Sequence, residues 1–238
     1  MTSKTFSVSY GSGEIDFRLE RRLRKTLAIS VVPNAFVEVV APLDAPLEKI
    51  LERVRRRGAW ILRQQRYFVQ FQPRTPERQY VAGETHLYLG RQYKLKVVEH
   101  IQQQVKLHRG QLTVQSSKPR NTELTRALVE QWYRDRARAK FRERLALCQQ
   151  RFPNPEEVGP KGLMIMQLQQ RWGSMTRSGR LILNLALIRA STDAIDYVIT
   201  HELCHTHHHN HGAAFFSLLN QVMPDWAERK LKLERQLA

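Results

Sequence analysis

The string His201-Glu202-Leu203-Cys204-His205, with His211 six residues further on, restricts this chain more than any other feature. In an α-helix, residues i and i+4 lie one turn apart on one face, so His201 and His205 can reach a single cation. Glu202 lies roughly 100° round the helix from His201, beside that cation and outside its ligand set. Two neutral nitrogens, an open position and a free carboxylate base are what metal-assisted hydrolysis requires. Ala194, Ile195, Val198 and Ile199 lead into the string with helical spacing, which places the histidines on a half-buried helix. That helix is expected to start near Ser191-Thr192-Asp193, with Asp196 as the acidic partner of its N-cap.

A zinc hydrolase needs a third protein ligand, and His207, His208, His209 and His211 all compete for the place. His208 shares the face of His201 but lies about 10 Å along the axis from it, too far for bonds of about 2.0–2.1 Å to one ion. The third ligand should therefore come from chain that has left the helix. His211 stands between Asn210 and Gly212, both tolerant of left-handed backbone, so the chain can turn and aim His211 back; His207 and His209 are the fallbacks. The spacing equals that of the metzincins, but their glycine is His208 here and no Met-turn is evident, so that assignment is not made. Cys204, inside the motif, reads as a small buried apolar residue rather than a ligand.

Length and composition set the frame. A chain of 238 residues is long enough for one large domain or two small ones. No apolar run reaches the length of a membrane span and no secretory signal opens the chain. Two cysteines far apart give no disulfide framework, so a cytoplasmic location is expected. The formal net charge of +17 is the outlying bulk property. It favours contact with polyanions, nucleic acid or nucleotides among them, although no nucleic-acid module is recognisable and a solvated surface explains the charge equally well.

The patterning predicts an α+β protein. Phe6, Val8 and Tyr10 alternate, as do Ile15, Phe17 and Leu19; 27–32 and 36–40 read as a hairpin, and an antiparallel sheet is expected. A helix should begin at Asp44, bend or divide at Gly58 and end before Pro73. Period two returns between Tyr80 and Gln115, and 121–151 reads as a long helix closed by Pro153 and Pro155. Further on, 164–170 reads as a strand ending at 171–174. A second strand, 181–185, passes into Ala186-Leu187-Ile188, and two helices follow His211. The division expected is a β-rich part, 1–120, and a helical linker with the catalytic part, 121–238, without a clean linker between them. No internal repeat is visible.

Taken together, Arg171-Trp172-Gly173-Ser174, Ile182-Leu183-Asn184, Ile195-Asp196-Tyr197-Val198-Ile199, the histidine motif, Asn210-His211 with Phe215, and Met223-Pro224-Asp225-Trp226 resemble the YgjP-like metallopeptidase family. This family is related in its zincin core to the SprT-like and WLM proteases. The segment 22–27 and the sheet and helix after it also look like the family's N-terminal half. The resemblance implies a minimal zincin-like core in the C-terminal part, Zn2+ held by His201, His205 and His211, and Glu202 as general base. Two departures stand out: Met175 occupies a place where the family usually has cysteine, and Thr206 followed by three histidines replaces an apolar residue. Those extra imidazoles offer a second metal site.

The function expected is zinc-dependent hydrolysis of a peptide or protein, in which Glu202 takes a proton from water and later delivers it to the leaving group. Trp172 and Asn184 are candidate substrate-binding residues, and the strand 183–185 is a candidate edge for an extended substrate. Tyr197, on the face of His201, is expected to pack. Two rivals stay open: a metal-dependent nucleotide phosphohydrolase, and a DNA-associated metal-binding module or protease.

Overall fold

The alternation in the first twenty residues becomes a hairpin in the computed structural model, which describes residues 4–32, 34–70, 78–168 and 171–237. Strands β1 (Lys4–Tyr10) and β2 (Gly13–Arg22) pair antiparallel, as do β3 (Ala28–Val31) and β4 (Val37–Pro42). Their order is β1-β2-β4-β3. The sheet is not wholly antiparallel as expected: β3 takes the outer edge, so β4 returns inside it and runs parallel to β2, with Phe17 opposite Val37. Central β4 is the most buried, with Val37, Val39 and Ala41 fully enclosed. Helices α1 (Leu47–Arg56) and α2 (Gly58–Val69) add Ile50, Val54 and Ile61 to this core. Asp44 does not cap α1; Pro46 holds that position and gives no side-chain bond. The division at Gly58 has a steric cause, since a Cβ there would run into the ring of Tyr10. Pro33 at the hairpin tip and Pro73 after the helix lie outside the described residues.

Chain contacts divide the protein into two compact units, one up to residue 75 and the other from 76 to 237. The division expected at 120/121 is displaced because the second sheet shares its core with the long helix that follows it. Strands β5 (Thr85–Tyr88), β6 (Arg91–Glu99), β7 (Gln104–His108) and β8 (Gln111–Ser116) are ordered β5-β6-β8-β7. This connectivity repeats that of the first sheet, with β6 and β8 parallel, although the sequence shows no repeat. Leu95, Leu112 and Val114 join Val129, Trp132 and Tyr133 of α3 (Thr122–Gln149) in one core. The Asn121 side chain accepts from Leu124 N–H at 2.9 Å and caps α3.

A three-stranded sheet carries the rest. It is ordered β10-β11-β9, from β9 (Gly162–Met166), β10 (Gly173–Met175) and β11 (Arg180–Asn184). Residues 173–175 are thus a strand of their own and not the end of the preceding one; residues 169–170 lie outside the described residues. Because β11 is central, paired with both neighbours, it has no open edge to offer a substrate. A 3-10 helix, Leu185–Arg189, leads into α4 (Thr192–Cys204), which α5 (Ala213–Val222) and α6 (Trp226–Leu237) follow. Among the described residues no helix is long and apolar enough to cross a membrane.

Two contacts hold the start of α4. The tight turn after β5 donates from Leu89 N–H and Gly90 N–H to the carbonyls of Ile188 and Arg189, both at 3.0 Å. Gly90 has φ 79, and a Cβ there would lie 3.0 Å from Ser191 Cα, so glycine serves both conformation and approach. Asp196 is not part of a cap. It is buried, takes a two-pronged pair from Arg144 of α3 at 2.7 and 2.6 Å, and receives Arg151 at 3.0 Å. Arg229 of α6 stands 3.8 Å away. One carboxylate thereby ties three elements to the histidine helix. Asp196→Ala would leave these guanidinium groups without their counter-charge, and we expect a loss of about 3–5 kcal/mol of stability, measurable by denaturant unfolding.

Candidate metal centre

Helix α4 is enclosed on nearly every side, with Ala194 to Thr200 all buried. Its last turn presents His201 and Glu202, and His205 is its C-cap. The C-terminal end of a helix is the negative pole of its dipole, which suits a cation. Beyond it the chain turns sharply, with His207 N–H and His208 N–H both donating to the Cys204 carbonyl, at 3.2 and 3.0 Å. It returns through Asn210 to Gly212, where Gly212 N–H meets the Asn210 carbonyl at 2.9 Å. Neither Asn210 nor Gly212 uses the left-handed backbone the sequence suggested; Gly212 has φ -86 and caps α5.

This return brings His211 to His201 and His205. One nitrogen from each of the three rings can be chosen so that all lie within 4.8 Å of one another. Nε2 of His211 and Nε2 of His201 are 2.9 Å apart; the edge of a tetrahedron with zinc–nitrogen bonds of 2.0–2.1 Å is about 3.3 Å. His205 Nδ1 lies 2.8 Å from the His208 carbonyl oxygen. A carbonyl only accepts, so Nδ1 carries the hydrogen and Nε2 keeps its lone pair. Phe215, buried on α5, packs against all three rings, with centroids 5.0, 4.7 and 4.6 Å from those of His201, His205 and His211. It limits how far any of them can swing. Burial, and then the neighbouring His211, His205 and Lys230, lower the His201 pKa to about 3. Burial likewise lowers that of His211. Both rings stay neutral in the physiological range, as metal ligation requires. The donor set therefore fits a divalent cation of zinc's type.

Glu202 is 7% exposed and outside the triad. Its Oε2 accepts from Met175 N–H on β10 at 2.8 Å. Gly173 of the same strand is packed so closely that a Cβ would lie 2.9 Å from Glu202 Cγ and 3.1 Å from Oε1. Burial pushes the pKa of Glu202 up to about 7, against the opposing effects of the Met175 N–H and Arg171. Sequence reasoning missed both Gly173 and the Met175 backbone; the only signal was a glycine ahead of a short strand, and the strand had not been recognised.

The remaining candidates separate. Trp172 lines the same cavity of about 460 Å³ as the triad and Glu202, together with Arg171, Tyr197, His209, Lys230 and Glu234. Asn184 does not line it. Its amide donates to the carbonyls of Leu168 and Arg171 at 2.8 and 3.0 Å, and its Oδ1 accepts from Ala186 N–H. Asn184 thus pins the ends of the segment leading into β10. Tyr197 packs, its ring edge-on to His201 and stacked on Trp226. Cys204 is fully buried, and burial raises its thiol pKa to about 12, which makes it inert. Of the extra histidines only His209 reaches the cavity, and among the described residues the triad is the only cluster able to hold a metal.

The raised pKa of Glu202 gives a stability test. Its folded value, about 7, exceeds the ordinary 4.5, so the carboxylate form is penalised only in the folded protein. The penalty is absent below 4.5, grows as pH rises and is complete above about 7. Glu202→Gln removes it and keeps an acceptor for Met175. The metal-free variant should therefore be more stable than wild type at pH 8, by about 1–3 kcal/mol, and equal to it at pH 4.

A family model described as YgjP-like, metallopeptidase domain, matches residues 25–236. Comparison with curated proteins and with solved structures finds no match.

Proposed function

The chain belongs to the YgjP-like metallopeptidase family, which implies a metal-dependent hydrolase, and on that premise we propose that it is a zinc peptidase with Glu202 as its general base. The observation that carries this reading is a buried carboxylate next to three converging imidazoles yet outside their ligand set. A purely structural site has no use for such a group. His201, His205 and His211 would hold the ion. When bound, the ion supplies Lewis acidity that polarises a carbonyl and activates water near neutral pH.

The protein's own residues account for the rest. Met175 N–H occupies Oε2 of Glu202, so Oε1 is the atom left to take a proton from water and return it to the leaving amine. Gly173 gives that oxygen its room. Phe215 holds the rings in place, and Trp172, through the segment pinned by Asn184, forms part of the substrate wall. The bound ion's charge lowers the pKa of Glu202 from about 7, so activity should fall on the acid side along a limb at or below that value.

The nucleotide phosphohydrolase reading has less support. Magnesium-dependent phosphate chemistry uses clustered carboxylates, and among the described residues none form such a cluster. For location, the two cysteines are free and buried, which supports a reducing compartment such as the cytoplasm.

Metal analysis joined to peptide hydrolysis tests the proposal. Glu202→Gln should retain one zinc per chain and lose about 10²–10⁴-fold in kcat, while His211→Ala should lose most of its zinc. Retained turnover in the first, or unchanged zinc in the second, would overturn the corresponding assignment. Gly173→Ala should keep zinc and substrate affinity but lower kcat at least about tenfold, through displacement of Oε1; an unchanged kcat would show that β10 does not position the base.

A further inference from the structure

The net charge of +17 is not absorbed by the fold or by the proposed chemistry. The buried ion cluster uses Arg144, Arg151 and Arg229. Two other cations line the reaction cavity itself, Arg171 from the segment leading into β10 and Lys230 from α6. Each acts on the reacting groups. Arg171 favours the charged form of Glu202, and Lys230 disfavours protonation of His201 and His211. Arg171 is exposed, and its hydrogen bond goes to a neutral acceptor, Ser174 Oγ, at 3.2 Å. Glu234, one turn beyond Lys230 on α6, is the opposing charge in the cavity besides Glu202. A divalent ion at the triad would leave the occupied cavity net positive.

Resting on the peptidase reading above, we infer that the substrate is an acidic peptide, with Arg171 and Lys230 each engaging a carboxylate beside the bond that is cut. The separation of the two cations on different elements argues for carboxylates spread along an extended chain. A polyphosphate is normally gripped by donors gathered at a helix N-terminus or backbone nest, whereas this site lies at the C-terminal end of α4. The surplus charge of the whole chain then has a role, because a positive field raises the encounter rate with acidic substrates and salt weakens it. The carboxylates can belong to Asp or Glu side chains or to the chain terminus.

Zinc-loaded full-length protein would be assayed on matched peptides with Glu, Gln or Lys on both sides of one bond. Each peptide would be made with a free and with an amidated C-terminus, and a nucleoside triphosphate assayed alongside. The Glu peptide should exceed the Gln peptide at least about tenfold in kcat/KM, and the Lys peptide should be poorest. The gap should narrow from about 50 to about 500 mM salt. A gain from the free terminus alone would assign the carboxylate to the chain end. Arg171→Gln and Lys230→Gln should each lower kcat/KM for the Glu peptide more than for the Gln peptide. Equal rates on all three peptides, or a preference that survives both substitutions together, would overturn the inference and leave the peptidase reading standing. Hydrolysis of the triphosphate with no cleavage of any peptide would remove both.

Discussion

A carboxylate buried beside neutral imidazoles is electrostatically costly, and the C-terminal unit is arranged round that cost. Glu202 has one backbone donor, from Met175, and burial outweighs it, raising the pKa to about 7. His201 sits in the same predicament with the opposite sign, its proton affinity lowered until it stays neutral. A divalent ion relieves both: it replaces the missing counter-charge for the carboxylate and uses the lone pairs of the rings. The empty-handed protein is thus less stable than its own packing would allow, a trade commonly found where a site is built for chemistry.

Such an arrangement persists only if the surroundings over-determine it. Three supports do so from different directions. Asp196 draws arginines from α3 and α6 onto the histidine helix, which fixes its rotation. The turn containing Gly90 presses on Ser191, which fixes its start. Strand β10 lies against its far end so closely that Gly173 has no room for a side chain, which fixes the carboxylate. Phe215 then shares its ring among the three imidazoles. None of these four touches a substrate in the proposed scheme, yet the geometry of the reacting groups depends on all of them.

Much of the site was legible in the sequence because helical spacing is local. The four-residue interval places His201 and His205 together whatever the remainder of the chain does, and the reach limit of a helix pointed to His211. What the sequence did not disclose is non-local. The strand Gly173–Met175 is too short for periodicity to show, so the partner of Glu202 went unseen. Asp196 looked like a capping residue because capping is the local role of an acid near a helix start; its arginines come from positions 144, 151 and 229. The strands of both four-stranded sheets were readable as alternation, but their shared order and parallel inner pairs were not, since strand order depends on packing. Helix α3 was found nearly whole, capped by Asn121. Its shared core with the second sheet, which moves the division between units to residue 75/76, left no compositional mark.

The claim on which the rest turns is that one ion is held by His201, His205 and His211. X-ray absorption at the zinc edge of the loaded protein measures that shell directly. The account requires three nitrogen ligands at about 2.0–2.1 Å with one light oxygen-type ligand completing a tetrahedron. A sulfur scatterer at about 2.3 Å, which would bring in Cys204, or a shell of four imidazoles, which would close the open position, would contradict it.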